Sequence, residues 1–289
     1  MPHLILVLSA LIWGATYPST KAVLTQLPPF SFMFVRFFLG CLLVVVAVLV
    51  LRRRIRWDPA TLRMSFIATV FLFLGFALQT EGLVTTTASK SAFITVQYVF
   101  LVPLFLRRFG GRTWAAAALS VAGLWLLVDP QGEMTRGDLL TLGCAAAYAG
   151  HISCLESFTQ KSDPLSLFLW QLAMITAAMF PAMLWERPGA DAFALTPLLL
   201  SALLVNGVFA TGAFAIQVWA QKRLPAPRVA LIFSLEPLFA AWLAWLFLGE
   251  QLSGRGWVGS MLIVGAVLLG TLGPAASEPR TPLASSHAS

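Results

Sequence analysis

The chain has 289 residues, of which 58% are hydrophobic and only 11% charged, and it carries a formal net charge of +7. Soluble domains hold roughly 25% charged residues, so a mean hydropathy of +0.83 excludes a water-soluble globule. The basic surplus, taken alone, admits nucleic acid as a partner; its placement along the chain argues for lipid instead.

A helix needs roughly 20 mostly apolar residues to cross a bilayer. Ten segments meet that need, at about 3–24, 31–51, 64–82, 87–106, 112–129, 137–158, 164–184, 196–220, 226–248 and 254–272. They leave no room for a soluble catalytic domain. The first opens Met1-Pro2-His3 without a basic leader or a small-residue cleavage site, so it reads as a span rather than a removable signal. It carries Trp13 and Tyr17 one turn apart on one face. Span two carries Arg36 near its outer end. Gln79 and Glu81 close span three, Lys90 opens span four, and Glu81 and Lys90 are placed to pair across the turn between them. Gln97 and Tyr98 lie centrally on span four, with Pro103 beyond. Span five is rich in Ala, Gly and Leu and breaks at Asp129-Pro130-Gln131-Gly132.

Span six holds Tyr148 and His151, three residues apart. Glu156 follows five residues on, off the same helical face. Trp170 and Gln171 lie on span seven, Asn206 and Gln217 on span eight, and Glu236-Pro237 on span nine. Span ten is again nearly free of polar groups. Residues 273–289 are Ser-, Ala- and Pro-rich without apolar periodicity and read as a disordered cytoplasmic tail.

With the N-terminus inside, one set of loops holds Arg52, Arg53, Arg54, Arg56, Arg63, Arg107, Arg108, Arg112, Lys161, Lys222, Arg223 and Arg228. The other holds Lys21, Lys90, Arg136, Arg187 and Arg255. That bias follows the positive-inside rule and places both termini in the cytoplasm. The cations are topology signals, and a nucleic-acid role is not expected. Cys41, Cys144 and Cys154 fall inside spans at spacing that suits neither disulfides nor zinc.

The chain also reads as one five-span pattern written twice. GRTWAAAALSVAGLWLLV (111–128) parallels GRGWVGSMLIVGAVLLG (254–270), and GFALQ (75–79) parallels AFAIQ (213–217). Ala88, Ala92 and Ile94 align with Ala226, Ala230 and Ile232, and Trp13, Pro29 and Ser31 with Tyr148, Pro164 and Ser166. An odd number of spans per copy inverts the second relative to the first, the plan of many secondary transporters. The expected fold is therefore an all-α membrane protein of ten transmembrane helices. It has a first repeat over 1–135 and an inverted second over 136–272.

Residues 234–270, with Glu236-Pro237 and Gly249-Glu250, resemble the C-terminal signature of the EamA group in the drug/metabolite transporter superfamily. Ala10 to Pro18 resembles the first helix of that group. The resemblance implies two inverted five-helix halves, a central cavity and export of small metabolites. Within the group the chain is most similar to the YddG-type exporters of aromatic amino acids. It departs from the Glu-Pro pattern in the first copy, where Tyr98 stands opposite Glu236.

Ionisable groups inside a bilayer are costly and therefore candidate functional groups. Arg36, Glu81 and Lys90 are read either as structural pairs and snorkelling side chains or as an outer gate or a partner for a substrate carboxylate. Pro103 and Pro237 are read as matched bends. Glu236 is read either as a cap for carbonyls freed around Pro237 or as a proton-coupling group. Trp13, Tyr17, Gln79, Gln97, Tyr98, Tyr148, His151, Trp170, Gln171, Asn206 and Gln217 form the candidate substrate-binding set. Aromatic rings offer a cation-attracting face, and amides offer both donors and acceptors to a zwitterion. The alternatives are packing for His151 and the interfacial aromatic belt for the tryptophans.

No phosphate loop, HExxH motif or clustered His/Cys/carboxylate set appears. The expectation is no catalytic residue, no metal and no cofactor. The chain is read as a monomeric, multi-pass exporter of the cell inner membrane, whose partners are a small-molecule substrate and the lipid bilayer. The expected substrates are amino acids, including aromatic ones, moved by alternating access through a central cavity. The competing readings are an exporter of another metabolite or drug-like compound and a passive pore.

Overall fold

The computed structural model describes residues 2–108, 110–128, 134–248 and 253–271. The expected turn at Asp129-Pro130-Gln131-Gly132, the Gly249-Glu250 element and the tail at 273–289 lie outside the described residues.

Every backbone polar group in a bilayer core must be satisfied within the protein, which favours helices. The described residues accordingly contain helices and no strand. Proline stands at the first position of α1 (Pro2–Val23), α2 (Pro29–Val50), α3 (Pro59–Thr85), α8 (Pro164–Glu186) and α9 (Pro197–Leu203), where its missing N–H costs nothing. Several other free N–H groups at helix starts meet side-chain caps. Asp58 accepts from Thr61 N at 2.9 Å, Asp163 from Ser166 N at 2.8 Å and Thr196 from Leu199 N at 3.1 Å. α7 (Arg136–Lys161) begins with a reciprocal box between Thr135 and Asp138.

Among the described residues, nine helical segments are long and apolar enough to cross a membrane. The remaining expected segment forms α6 (Gly111–Val128), which reaches the edge of the described residues. α13 (Gly254–Thr271) lies against α6, and their backbones nearly touch: a methyl added at Gly123 would stand 2.7 Å from the Gly259 carbonyl oxygen. Small residues permit this approach where lipid supplies no hydrophobic drive. α3 meets α7 in the same way at Gly82 and Gly137, while α2 packs on α8 and α1 on α10 (Ala210–Gln221). Phe38, Leu42, Val46 and Leu49 on α2 recur at helical spacing and are exposed, as a lipid-facing stripe requires.

The expected fourth and ninth helices are not continuous. The fourth divides into α4 (Ala88–Thr95) and α5 (Tyr98–Phe105), and the ninth into α11 (Ala226–Phe233) and α12 (Glu236–Leu248). The breaks, at 96–97 and 234–235, fall at the same place in the two copies of the repeated sequence. Pro237 explains one, since it cannot donate to the preceding turn. Pro103 lies within α5, well beyond the other break, so the interruptions and not the prolines are the matched feature. Gln97 Nε2 donates to the Phe93 carbonyl at 3.1 Å, and Ser234 Oγ donates to that of Leu231 at 2.6 Å. At the first break the Gln97 side chain thereby caps the Phe93 carbonyl, which its own backbone N–H leaves for that of Ile94.

The eighth segment also departs from plain α-helix. A π-helical turn over Leu204–Phe209 joins α9 to α10. Thr211 Oγ1 donates to the Gly207 carbonyl at 2.7 Å and Asn206 Nδ2 to that of Ala202 at 3.1 Å, satisfying groups the wide turn loosens. Such turns are frequent at functional positions.

Candidate functional site

A cavity of about 60 Å³ lies at the centre of the bundle. α1 contributes Trp13, Thr16 and Tyr17, α2 Arg36 and Phe37, and α3 Leu72, Phe76 and Gln79. Tyr148, His151 and Ile152 enter from α7, Leu172 from α8, and Thr211, Phe214 and Gln217 from α10. The interrupted segments supply Thr95 and Tyr98 on one side and Phe233 and Glu236 on the other. No described residue of α6 or α13 lines it.

Glu236 opens α12 at the break and is buried. Its carboxylate accepts from Tyr98 at 3.0 Å on Oε1 and from Tyr17 at 3.4 Å on Oε2. Gln79 extends the network, donating to Tyr17 at 3.3 Å and to Thr95 at 3.3 Å while accepting from Tyr148 at 3.3 Å. All three tyrosines of the chain thus belong to one chain of hydrogen bonds that ends on the carboxylate.

Arg36 lines the same cavity and is also buried. Its Nη1 donates to Asn206 Oδ1 at 3.3 Å, and its guanidinium lies 4.8 Å and 4.7 Å from the ring centres of Phe37 and Phe76. The Arg36 Nε has no hydrogen-bond partner. Thr20 and Ser19 hold Asn206 in place, at 3.0 and 3.1 Å. Arg36 and Glu236 form no ion pair with each other or with other described residues. Burying either charge without a counter-charge is costly, and Arg36 and Glu236 both face this one cavity.

Other sequence candidates play supporting parts. His151 Nε2 lies 2.8 Å from Gln171 Oε1, and Gln171 itself is wholly buried behind it. Gln217 donates to Gln221 at 3.1 Å, which donates to the Ile152 carbonyl at 2.7 Å. Trp13 packs on Phe233 at 4.7 Å. Gln97 is spent on its own helix break. Trp170 is not brought to the cavity: its indole N–H donates to the Arg56 carbonyl at 2.9 Å and its ring meets Trp57 at 4.7 Å.

Lys90 reaches Asp138 at 3.6 Å, and the Thr86 hydroxyl bonds the same carboxylate. Beside them Lys21 Nζ donates to the Leu83 and Thr86 carbonyls at 2.6 and 2.9 Å, closing the end of α3. Glu81 is half-buried there. Near the opposite end of α7, Glu156 holds Arg108 Nη1 through both carboxylate oxygens at 2.9 and 3.0 Å. Among the described residues no three His, Cys, Asp or Glu side chains assemble as a metal set.

Sequence reasoning passed over Thr95, Phe76, Phe214 and Phe233. The repeated GFALQ/AFAIQ motif held the signal for two of them, because Phe76 and Phe214 stand at its second position and line the cavity together with Gln79 and Gln217.

A bundle of apolar helices around a mainly apolar cavity that holds a buried polar cluster defines a multi-pass membrane protein. The chain belongs to the EamA-like transporter family, whose pattern it matches twice, over residues 1–129 and 135–272. That membership assigns it to transporters rather than enzymes. A relative in Archaeoglobus fulgidus, described as an uncharacterized transporter, is 32% identical over 92% of this chain and 84% of its own. The threonine/homoserine exporter RhtA of Salmonella typhimurium is 28% identical over 62% of each chain. A probable amino-acid metabolite efflux pump of Escherichia coli is 24% identical over 92% and 93%. A crystal structure at 19% identity superposes with a TM-score of 0.75, covering 94% of this chain and 96% of that one, and so shares the fold.

Proposed function

We propose that the chain is a secondary exporter of amino acids, working by alternating access in the cell inner membrane. The carrying observation is the unpaired Arg36 and Glu236 in one cavity. An α-amino acid zwitterion completes both, its carboxylate at the free Arg36 Nε and its ammonium at the Glu236 carboxylate between Tyr17 and Tyr98. Relatives named as exporters of threonine, homoserine and amino-acid metabolites support the class. Trp13, Phe37, Phe76, Phe214 and Phe233 supply aromatic walls, which support the aromatic amino acids suggested by the resemblance to YddG-type exporters.

The proposed architecture is ten crossings in two inverted halves, with both termini in the cytoplasm. Its support is the pairing of helices. Exchanging each segment with the one five places on turns the α1–α10 contact into the α3–α7 contact. The same exchange leaves the α2–α8 and α6–α13 contacts unchanged. Half-helices meeting at a central site are the arrangement on which carriers of this kind rock. The protein is proposed to act as a monomer and to move substrate down its gradient. A single buried carboxylate in the cavity, engaged by neutral hydroxyls, leaves little apparatus for coupling.

Counter-flow in proteoliposomes tests the reading, with labelled threonine, homoserine, phenylalanine and tryptophan. A carrier exchanges labelled for unlabelled substrate faster than it supports net flux; equal rates would mark a pore. A pH gradient that drives concentrative uptake, lost in Glu236→Gln, would overturn the facilitated mode.

A further inference from the structure

Away from the central cavity, a groove of about 460 Å³ opens between the loop after α2, the start of α8 and the end of α10. Arg53, Arg54, Lys222 and Arg223 line it, against a single acidic side chain, Asp163. Asp163 is already engaged, capping Ser166 through its backbone N–H and its hydroxyl at 2.8 Å each. The groove therefore holds a net excess of cations. Trp219 forms part of its wall, with the Arg223 guanidinium 4.0 Å from the ring centre.

Immediately before the groove, the end of α2 and the residue after it present Leu49, Val50 and Leu51 outward, at 69%, 73% and 65% exposure. One helix end thus offers an apolar surface suited to acyl chains, followed within two residues by cations suited to a headgroup. Neither the shape nor the charge of the groove is required by the central cavity, and a soluble anion would have no use for the apolar stripe.

We infer that this groove binds an anionic phospholipid, with its phosphate among Arg53, Arg54, Lys222 and Arg223 and its chains along the exposed end of α2. Basic pockets between spans on the cytoplasmic side recognise such headgroups. The bound lipid bridges the first and second halves of the sequence at one end of the bundle. The inference rests on the proposed orientation for its choice of leaflet but not for the binding itself.

Nanodiscs expose both leaflets and require no transport, so they separate this inference from the exporter reading. The protein is placed in nanodiscs of equal parts phosphatidylcholine and phosphatidylglycerol, and retained lipid is counted by native mass spectrometry. Phosphatidylglycerol is expected to be retained preferentially. Lys222→Gln should lower that preference about fivefold and Arg53→Gln/Arg54→Gln by more, as loss of roughly one interfacial cation at a time implies. Arg63→Gln, an exposed cation outside the groove, should leave it unchanged. In the unaltered protein, brominated phosphatidylglycerol should quench tryptophan emission more than brominated phosphatidylcholine, and Trp219→Phe should remove the difference. Unchanged preference in the groove variants, an equal loss in Arg63→Gln, or displacement of the lipid by millimolar inorganic phosphate would each overturn the inference.

Discussion

Tyr98 and Glu236 each open the second half of an interrupted segment, and the hydroxyl of one donates to the carboxylate of the other across 3.0 Å. The two residues stand opposite each other in the repeated sequence, so one repeat supplies the donor and the other the acceptor. Glu236→Gln keeps the volume and removes the charge. Hydrogen bonds to charged groups are worth about 1.5–3 kcal/mol, so counter-flow affinity should fall roughly tenfold to a hundredfold. Tyr98→Phe removes a hydroxyl that donates to that same carboxylate, and should cost roughly tenfold or more by the same measure. Equal, unaltered affinities in both variants would remove Glu236 from the site.

Arg36 offers a test of which end of the substrate it meets. Arg36→Gln should weaken binding of amino acids by about tenfold or more, the loss expected for a charge-assisted bond. The same change should spare the corresponding amines, which lack a carboxylate. Competition of each against labelled amino acid measures the difference. Parallel losses for both ligand series would assign Arg36 to structure alone.

Gly123→Leu should disrupt the α6–α13 contact, since even its first carbon would stand 2.7 Å from the Gly259 carbonyl and 2.9 Å from Ile263. Overpacking of this kind costs about 1–3 kcal/mol. Gly189→Ala, where nothing lies within 4 Å, serves as the neutral comparison. The melting temperature in detergent reads both, and a Gly123→Leu protein as stable as the parent would contradict the packing described.

Thr135→Ala removes the acceptor for Asp138 N, 3.1 Å away, and half of the box that starts α7. Loss of such a cap costs about 1 kcal/mol. Thermal unfolding should register it, with hydrogen-exchange protection lost first at the beginning of α7. A Thr135→Ser protein should keep the original stability.

Much of the site was readable from spacing. Trp13 and Tyr17 sit one turn apart and both line the cavity, and the paired GFALQ and AFAIQ motifs carried Gln79 and Gln217 to it. The alignment of Tyr98 with Glu236 was visible, although not their contact, which depends on how two halves dock. Trp170 was misplaced because an aromatic in an apolar helix has the same spacing whether it faces a cavity or a headgroup layer. Its bond to the Arg56 carbonyl is a long-range contact. Phe37 and Phe233 were invisible for a related reason, since composition cannot tell a cavity wall from a lipid-facing ring. The breaks at 96–97 and 234–235 were harder still. Only one has a proline beside it, and the other is held by a glutamine that reads as an ordinary polar residue. The Lys90–Asp138 pair joins α4 to α7, beyond the reach of any local rule.

The convergence of Tyr17, Tyr98 and Tyr148 on one network has a practical result. Replacing tyrosine throughout with a fluorinated analogue would place every label within the same hydrogen-bonded chain and nowhere else. A fluorine spectrum of the labelled protein would then hold just the resonances of its central cavity, free of signal from the lipid-facing surface. Movement of those lines on adding an amino acid would test the proposed occupancy, with ring fluorination of the three tyrosines as the one change to the site.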